Sequence, residues 1–398
     1  MWKPIIEKQG DIKGIRKLIR EIVKTVNTER DLTTISLYEN NIGIDLLNFY
    51  NHTIDRRTAV VTNDLVYYFT NLDIGKNSGL ISGYTGLFWV INLLKKGSYL
   101  DLEEEELEVL QRLTYTNIEK SNVKGYDFFS GYLGQYLFLT EYPSYQKKAS
   151  ILVINKLNAA AIKDDSFYRW LDYDAIRSFN LNTESTCYNI GLAHGIPSII
   201  VMLSIAYKYT GSTLALNMLD KAIDWLCSIN NKDSLFQYPE LLVDNVPHKE
   251  ISKSRLGWCY GDLSVGYSLY LVSRNLKSKK YRNLSLSIIE TTLKRDRANG
   301  NLTDHTLCHG TTGIAHMYSR LYNFENNPSY LDASLYWYNE TIRDFNDFDI
   351  NSIKTSTWYE EDYKNRSGLF TGITGIALSL ISAIHPIEPN WDRCFLLS

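Results

Sequence analysis

Nowhere in this sequence does an uninterrupted apolar run approach the roughly 18 residues that a membrane span needs. The longest runs, around residues 199–206 and 376–384, have the length of buried helices. The first ten residues, Met-Trp-Lys-Pro-Ile-Ile-Glu-Lys-Gln-Gly, also lack the apolar core of a secretory signal. Charge of one sign is equally scarce. Against 42 Lys and Arg stand 45 Asp and Glu, a net charge of −3, which leaves no electrostatic footprint for nucleic acid or an anionic membrane. Cysteine is sparse and odd in number: five, irregularly spaced, do not make a disulfide framework and point to reduced thiols or metal ligands. No stretch reads as a flexible linker. The expectation is a cytoplasmic protein without a transmembrane segment, its residues 1–398 forming one domain.

What is present is ample core material, 44% apolar residues with 22% charged, and an unusual number of tyrosines, 29. Residues 1–35 read as a leading helix, because Ile12, Ile15, Leu18, Ile19, Ile22 and Val23 recur at helical spacing among charged residues. From residue 36 to about 380 a motif then repeats: a small residue, two variable ones, Gly, and an apolar run. Its copies are Asn40-Asn41-Ile42-Gly43, Gly83-Tyr84-Thr85-Gly86, Gly131-Tyr132-Leu133-Gly134, Gly195-Ile196-Pro197-Ser198, Gly261-Asp262-Leu263-Ser264, Gly310-Thr311-Thr312-Gly313 and Gly372-Ile373-Thr374-Gly375.

The copies stand 43, 48, 64, 66, 49 and 62 residues apart, the length of two helices and their connections. Amphipathic stretches between them, such as 102–113 and 214–226, supply the partner helices. The run Glu103-Glu104-Glu105-Glu106 suits the start of one of them, where acidic side chains meet the positive end of the helix dipole. One Gly of each pair is expected to permit a tight turn and the other to let neighbouring inner helices approach. The fold class expected is all-α, an α/α toroid (barrel) of seven helical hairpins with Gly-x-x-Gly turns at the inner-helix starts; closure removes the ends that an open array such as tetratricopeptide repeats must cap. Segments 167–186 and 236–254, rich in Tyr, Asp, Asn and Ser, read as rim segments.

Three clusters directly precede the Gly of copies four, five and six: Gly191-Leu192-Ala193-His194-Gly195, Arg255-Leu256-Gly257-Trp258-Cys259-Tyr260-Gly261 and Cys308-His309-Gly310. If every copy opens an inner helix at the same end, His194, Cys259, Cys308 and His309 share one mouth. Two thiolates and an imidazole are the three protein ligands of an open zinc site, in which a place remains for water or substrate. His305 and His316 lie before and beyond the turn and read as ordinary, as do Cys187, Cys227 and Cys394.

With these motifs together, the sequence resembles the lanthionine synthetase C-like (LanC) family over roughly residues 36 to 380. The resemblance implies the seven-fold toroid and a zinc-dependent cyclase. Such an enzyme adds a Cys thiol of a precursor peptide to dehydroalanine or dehydrobutyrine in the same peptide, giving lanthionine or methyllanthionine rings. It further implies one zinc per chain on Cys259, Cys308 and His309, with His194 as acid/base residue, Asp127 as its companion, Arg255 as the arginine and Tyr260 as the active-site tyrosine. The partners implied are a dehydrated precursor with its leader peptide and a separate dehydratase. The residue types suit the chemistry: a metal-bound thiol is deprotonated at neutral pH, and attack at the β-carbon creates an enolate that needs a cation and then a proton.

Two departures stand out. Asp262-Leu263-Ser264 replaces the Pro-Gly pair usual after Trp-Cys-Tyr-Gly, and Pro197-Ser198 replaces a later Gly. Three other readings remain open. The same residues would serve addition of an external thiol such as glutathione. A non-catalytic peptide-binding scaffold would need no acid/base set. An α/α-toroid glycosidase would need two placed carboxylates, of which only Asp127 offers itself.

Overall fold

The computed structural model describes residues 1–30, 35–38, 40–55, 77–100, 102–178, 180–182, 184–345, 350, 355 and 367–398. The end of the expected leading helix at 31–34, and the parts of the repeats at 56–76 and 351–366 other than residue 355, lie outside them. In chain order the helices are α1 (Gln9–Thr28), α2 (Asn40–Asp55), α3 (Thr85–Lys96), α4 (Glu104–Lys120), α5 (Tyr132–Leu139), α6 (Pro143–Ala160), α7 (Tyr173–Ser178), α8 (Ile196–Thr210), α9 (Thr213–Ser228), α10 (Asp262–Leu276), α11 (Lys279–Thr292), α12 (Thr311–Glu325), α13 (Pro328–Asp344) and α14 (Ile373–Ile384). The chain forms two compact units, one of residues 1–107 and 302–398, the other of residues 108–301.

The seven glycine motifs open seven helices: α2, α3, α5, α8, α10, α12 and α14. Five of these have the motif's first Gly as N-cap: Gly131, Gly195, Gly261, Gly310 and Gly372. Such helices are buried all round. Every residue of α5 and α14 is buried, as are Ile196–Ala206 in α8 and Asp262–Ser273 in α10. The helices between them bury one stripe only. In α9 it is Ala215, Met218, Leu219, Ala222, Ile223, Trp225 and Leu226, the three-to-four spacing of an amphipathic helix. The expected partner stretches thus form α4 and α9, and α4 does begin in the acidic run, with Glu104, Glu105 and Glu106 in its first turn.

Three inner helices are joined to their outer partners by two-residue turns of one design. Gly211, Lys277 and Asn326 adopt positive φ (66°, 51° and 54°) and end α8, α10 and α12. The next residue, Ser212, Ser278 or Asn327, is extended and caps the following helix, its side chain accepting from the backbone N–H of Ala215, Tyr281 or Ser329. These tight turns leave the chain's long loops, and with them its chemistry, at the opposite ends of the hairpins, ahead of the inner helices.

The glycines act differently from the expectation. At Gly131, Gly195 and Gly372 φ is −98°, −118° and −123°, ordinary extended backbone. What demands glycine is the incoming loop. An added Cβ would stand 2.3 Å from Gly125 O at Gly131 and 2.1 Å from Asn189 O at Gly195. At two copies the second Gly meets that same loop: a Cβ on Gly313 would lie 2.0 Å from Leu307 O, and one on Gly375 2.0 Å from Leu369 O. Gly261 alone among the motif glycines is left-handed, at φ +97°.

In the unit of 1–107 and 302–398, α1 packs on α2 and α14, so the two ends of the chain meet. Residues 1–8, expected to be helical, instead form an arm on α14. Pro4 has no N–H to give a helix, the N–H groups of Ile5 and Ile6 donate to Ala383 O (2.8 and 2.9 Å), and Trp2 Nε1 donates to Ser382 O (2.7 Å). A buried cluster ties down the C-terminus: Asp392 accepts from Arg320 Nε (2.5 Å) and Nη2 (2.8 Å) and faces His316 Nε2 (2.7 Å).

In the unit of 108–301, α8 packs against α6, α9 and α10, and α10 against α11. The expected rim segments hold short strands. β1 (Ile162–Lys163) pairs antiparallel with β2 (Tyr168–Arg169), and β3 (Cys187–Asn189) with β4 (Leu241–Val243), which also pairs with β5 (Val246–Pro247). Segment 173–178 is helical (α7), a local turn opened by Asp172 Oδ1 accepting from Ala175 N at 2.8 Å. Asp262, at the first departure from the resemblance, is wholly buried. It accepts from the N–H groups of Gln237 and Tyr238 and faces Arg295, whose Nη2 donates to Ser254 O. This carboxylate therefore anchors both ends of the 236–254 segment. Among the described residues no helix is long and apolar enough to cross a membrane.

Candidate metal centre and acid/base cluster

The loop entering α10 carries Arg255, Cys259 and Tyr260, and the loop entering α8 carries His194. Gly191 brings the two together: a Cβ there would stand 2.3 Å from Cys259 O and 2.6 Å from the Tyr260 ring. Asn189 fastens the junction. Its Oδ1 accepts from Gly191 N (2.9 Å), while its Nδ2 donates to Asp172 Oδ2 (2.7 Å) and Tyr260 Oη (3.2 Å). Burial pushes the Tyr260 hydroxyl far above its usual range, so it stays a neutral phenol.

His194 reaches across to the loop entering α5. Its Nδ1 lies 2.7 Å from Asp127 Oδ2, and its ring packs at 5.2 Å from that of Phe129. Asp127 uses its other oxygen locally, accepting from Ser130 N (2.6 Å) and Oγ (2.8 Å), so it both builds the helix-entry turn and holds the histidine. Burial alone would depress the imidazole, but the charge of Asp127 and the bond to it prevail and raise His194 to about 9. On Asp127 the burial penalty is likewise overcome by His194 and Ser130, and the carboxyl sits below its ordinary value. His194 keeps 37% of its side chain exposed, leaving the ring an open edge.

Arg255 is held by Glu240, whose Oε1 accepts from Arg255 Nε at 2.8 Å; its guanidinium lies 6.0 Å from the centre of the Tyr260 ring. Glu240 itself immediately precedes β4, and its carbonyl accepts from Ile190 N.

The loop entering α12 presents Cys308 and His309 from a tight turn closed by Gly310 N donating to Thr306 O, while Cys308 N donates to Phe370 O in the loop entering α14 (both 3.0 Å). Inside this turn sits Asp304, 3% exposed. Its Oδ2 lies 3.0 Å from His309 Nε2, and its Oδ1 accepts from Thr306 N (2.8 Å) and Oγ1 (2.7 Å). Burial opposes the charged form of Asp304, yet the His309 contact and the Thr306 bonds hold its carboxyl low.

The ligand atoms of Cys259, Cys308 and His309 all lie within 4.8 Å of one another, a group able to hold a metal ion. Two thiols and an imidazole are soft and borderline donors, a set that would suit zinc and supply it with three protein ligands. The residues set aside from sequence do lie elsewhere. His305 Nδ1 pairs with Thr311 Oγ1 (2.9 Å), His316 with Asp392, Cys187 is buried in β3, and the Cys394 thiol donates to Trp391 O. Asp304, Asn189, Asp172 and Glu240 were not foreseen.

The chain has known relatives. The family model described as lanthionine synthetase C-like protein matches residues 31–396, and the chain belongs to that family. Nisin biosynthesis protein NisC of Lactococcus lactis subsp. lactis is 23% identical over 312 residues, covering 73% of this chain and 69% of its own. A solved structure of nisin cyclase superposes with a TM-score of 0.72 at 20% identity over 98% of both chains, and the fold is accordingly the α/α toroid expected from the repeats.

Proposed function

We propose that this protein is a zinc-dependent lanthipeptide cyclase that closes thioether rings in a precursor already dehydrated by another enzyme. The observation that carries the reading is the convergence of Cys259, Cys308 and His309, with His194 and its Asp127 partner on the loop packed against Cys259. Family membership and the likeness to NisC and nisin cyclase support it.

In this reading Cys259, Cys308 and His309 hold one zinc ion, which when bound keeps an incoming cysteine thiol deprotonated at neutral pH. The chain's own groups do the remaining work. Attack of the thiolate on the β-carbon of the dehydrated residue leaves negative charge on the carbonyl oxygen, and Arg255, aimed by Glu240, is the cation for it. The α-carbon must then receive a proton. His194 is charged at neutral pH, its Nδ1 committed to Asp127, so the proton on Nε2 is the one to deliver. Asp127 keeps the ring charged and aimed. Tyr260, neutral and held by Asn189, lines the same junction and helps orient the peptide.

The test is direct. The purified protein is incubated with a dehydrated precursor, and remaining thiols are counted by alkylation with and without a chelator. Loss of one thiol per ring, abolished by Cys308→Ala, is the expected result. Ring formation that continues with zinc removed sinks the proposal, and consumption of added glutathione in place of the peptide's own cysteines would favour external-thiol addition.

A further inference from the structure

We propose that Asp304 is a positioning residue for the metal centre, choosing which nitrogen of His309 is offered as ligand; the inference rests on the zinc reading above. A carboxylate oxygen 3.0 Å from Nε2, at ion-pair distance, favours a proton on that nitrogen, which leaves the lone pair on Nδ1. An imidazole can ligate only through a nitrogen that carries no proton, so this contact decides the ligating atom.

Three features of the turn place the carboxylate, none of them needed merely to bury it. Thr306 gives it two donors, the backbone N–H and Oγ1, both to Oδ1, so Oδ2 is the oxygen left for His309. Thr311 N donates to the Asp304 carbonyl (3.3 Å), pinning the residue's backbone to the start of α12. Gly310 removes the obstacle: a Cβ there would stand 2.4 Å from Asp304 Oδ1. The glycine that follows the Cys-His pair thus makes room for the carboxylate as well as for the turn.

An isosteric amide separates this role from simple packing. In Asp304→Asn the single oxygen is claimed by the two Thr306 donors, which turns the NH2 group toward His309 Nε2. A donor there favours the tautomer with its proton on Nδ1, the wrong nitrogen for ligation. Shape is preserved while tautomer preference inverts.

The experiment is zinc competition against a chromophoric chelator, using the full chain as wild type, Asp304→Asn and Thr306→Val, with thermal unfolding of the metal-free proteins alongside. Asp304→Asn is expected to weaken zinc binding about 10- to 100-fold. Thr306→Val, which keeps the carboxylate but frees it to turn, should weaken binding by a smaller factor. A variant that unfolds earlier yet binds zinc as tightly as wild type overturns the positioning role. If Asp304→Asn does not fold, Thr306→Val decides, and unchanged affinity there overturns it equally. A wild-type chain that takes up no zinc at all refutes the metal reading itself, a separate outcome.

Discussion

Nδ1 of His194 lies 2.7 Å from Oδ2 of Asp127, across 67 residues of chain. The pair makes the histidine a cation at neutral pH, and its consequences are measurable. With His194 raised to about 9, a proton is available up to that pH, so cyclisation should decline on the alkaline side only as pH passes about 9. Asp127→Asn removes the charge that outweighs burial, and the alkaline limb should move down toward or below 6.5. The same linkage bears on folding. A raised pKa stabilises the folded chain below about 6.5, and that contribution fades as pH rises through about 9. Since 37% of the side chain is exposed, solvent screening keeps the stability effect small. Rate against pH for the wild type and Asp127→Asn checks the prediction; identical alkaline limbs would refute it.

Metal removal should be reversible. Three protein ligands predict about one zinc per chain by metal analysis, lost to a strong chelator and restored by added zinc. Cys259→Ala and Cys308→Ala should each abolish stoichiometric zinc and ring formation together. Full zinc content in either variant would place the metal elsewhere.

The helices and the candidate ligands are legible for the same physical reason. Six of the seven inner helices need glycine where the incoming loop crosses the helix start, so the requirement recurs along the chain, and position relative to the glycine locates Cys259, Cys308, His309 and His194. What supports those residues leaves no such mark. Asp304 is a lone acid four residues before Cys308, and its role depends on a turn that folds it back onto His309. Asn189 and Glu240 act through the pairing of β3 with β4, segments some 50 residues apart whose register no local pattern announces. The arm at 1–8 falls within the leading helix expected from the spacing of Ile12 to Val23, but the N–H groups of Ile5 and Ile6 find Ala383 instead.

Gly261 offers a test of that recurring requirement. It combines φ +97° with an Arg255 carbonyl 1.8 Å from where a Cβ would stand. Gly261→Ala must both adopt a conformation disfavoured for L-residues, at roughly 1–3 kcal/mol, and push the 255–260 loop away. A lowered unfolding temperature and weaker zinc binding are expected together, since Cys259 lies two residues before it. Stability lost without zinc lost would show that the loop yields elsewhere.

The Arg320–Asp392 pair should matter for folding alone. Arg320 is 2% exposed and also donates to Pro389 O and contacts Glu388, so Arg320→Ala strands the Asp392 carboxylate in the core. Breaking a buried pair from one side costs about 3–5 kcal/mol, which denaturant titration would show directly. The folded fraction should keep its zinc. The double change Arg320→Met with Asp392→Leu should recover part of the loss, because no buried carboxylate is then left without its cation, while half-exposed Glu388 can be solvated and His316 loses its partner.

Glu240 and Arg255 give the most discriminating pair, because one is proposed to act only through the other. Arg255→Ala removes the cation facing the developing charge and should lower kcat about 10²- to 10³-fold while leaving zinc content unchanged. Glu240→Gln keeps an oxygen near Arg255 Nε but loses the charge that anchors it, so a smaller fall in kcat, about ten-fold, is expected with KM little altered. If the guanidinium instead served only to brace β4 against its own loop, both variants would lose stability in parallel and leave kcat per folded molecule untouched. Measuring kcat, KM, zinc content and unfolding temperature on the two proteins therefore separates a charge aimed at the substrate from a strut. The stabilising bond at 2.8 Å is the same in either case, and what differs is whether its loss reaches the chemistry.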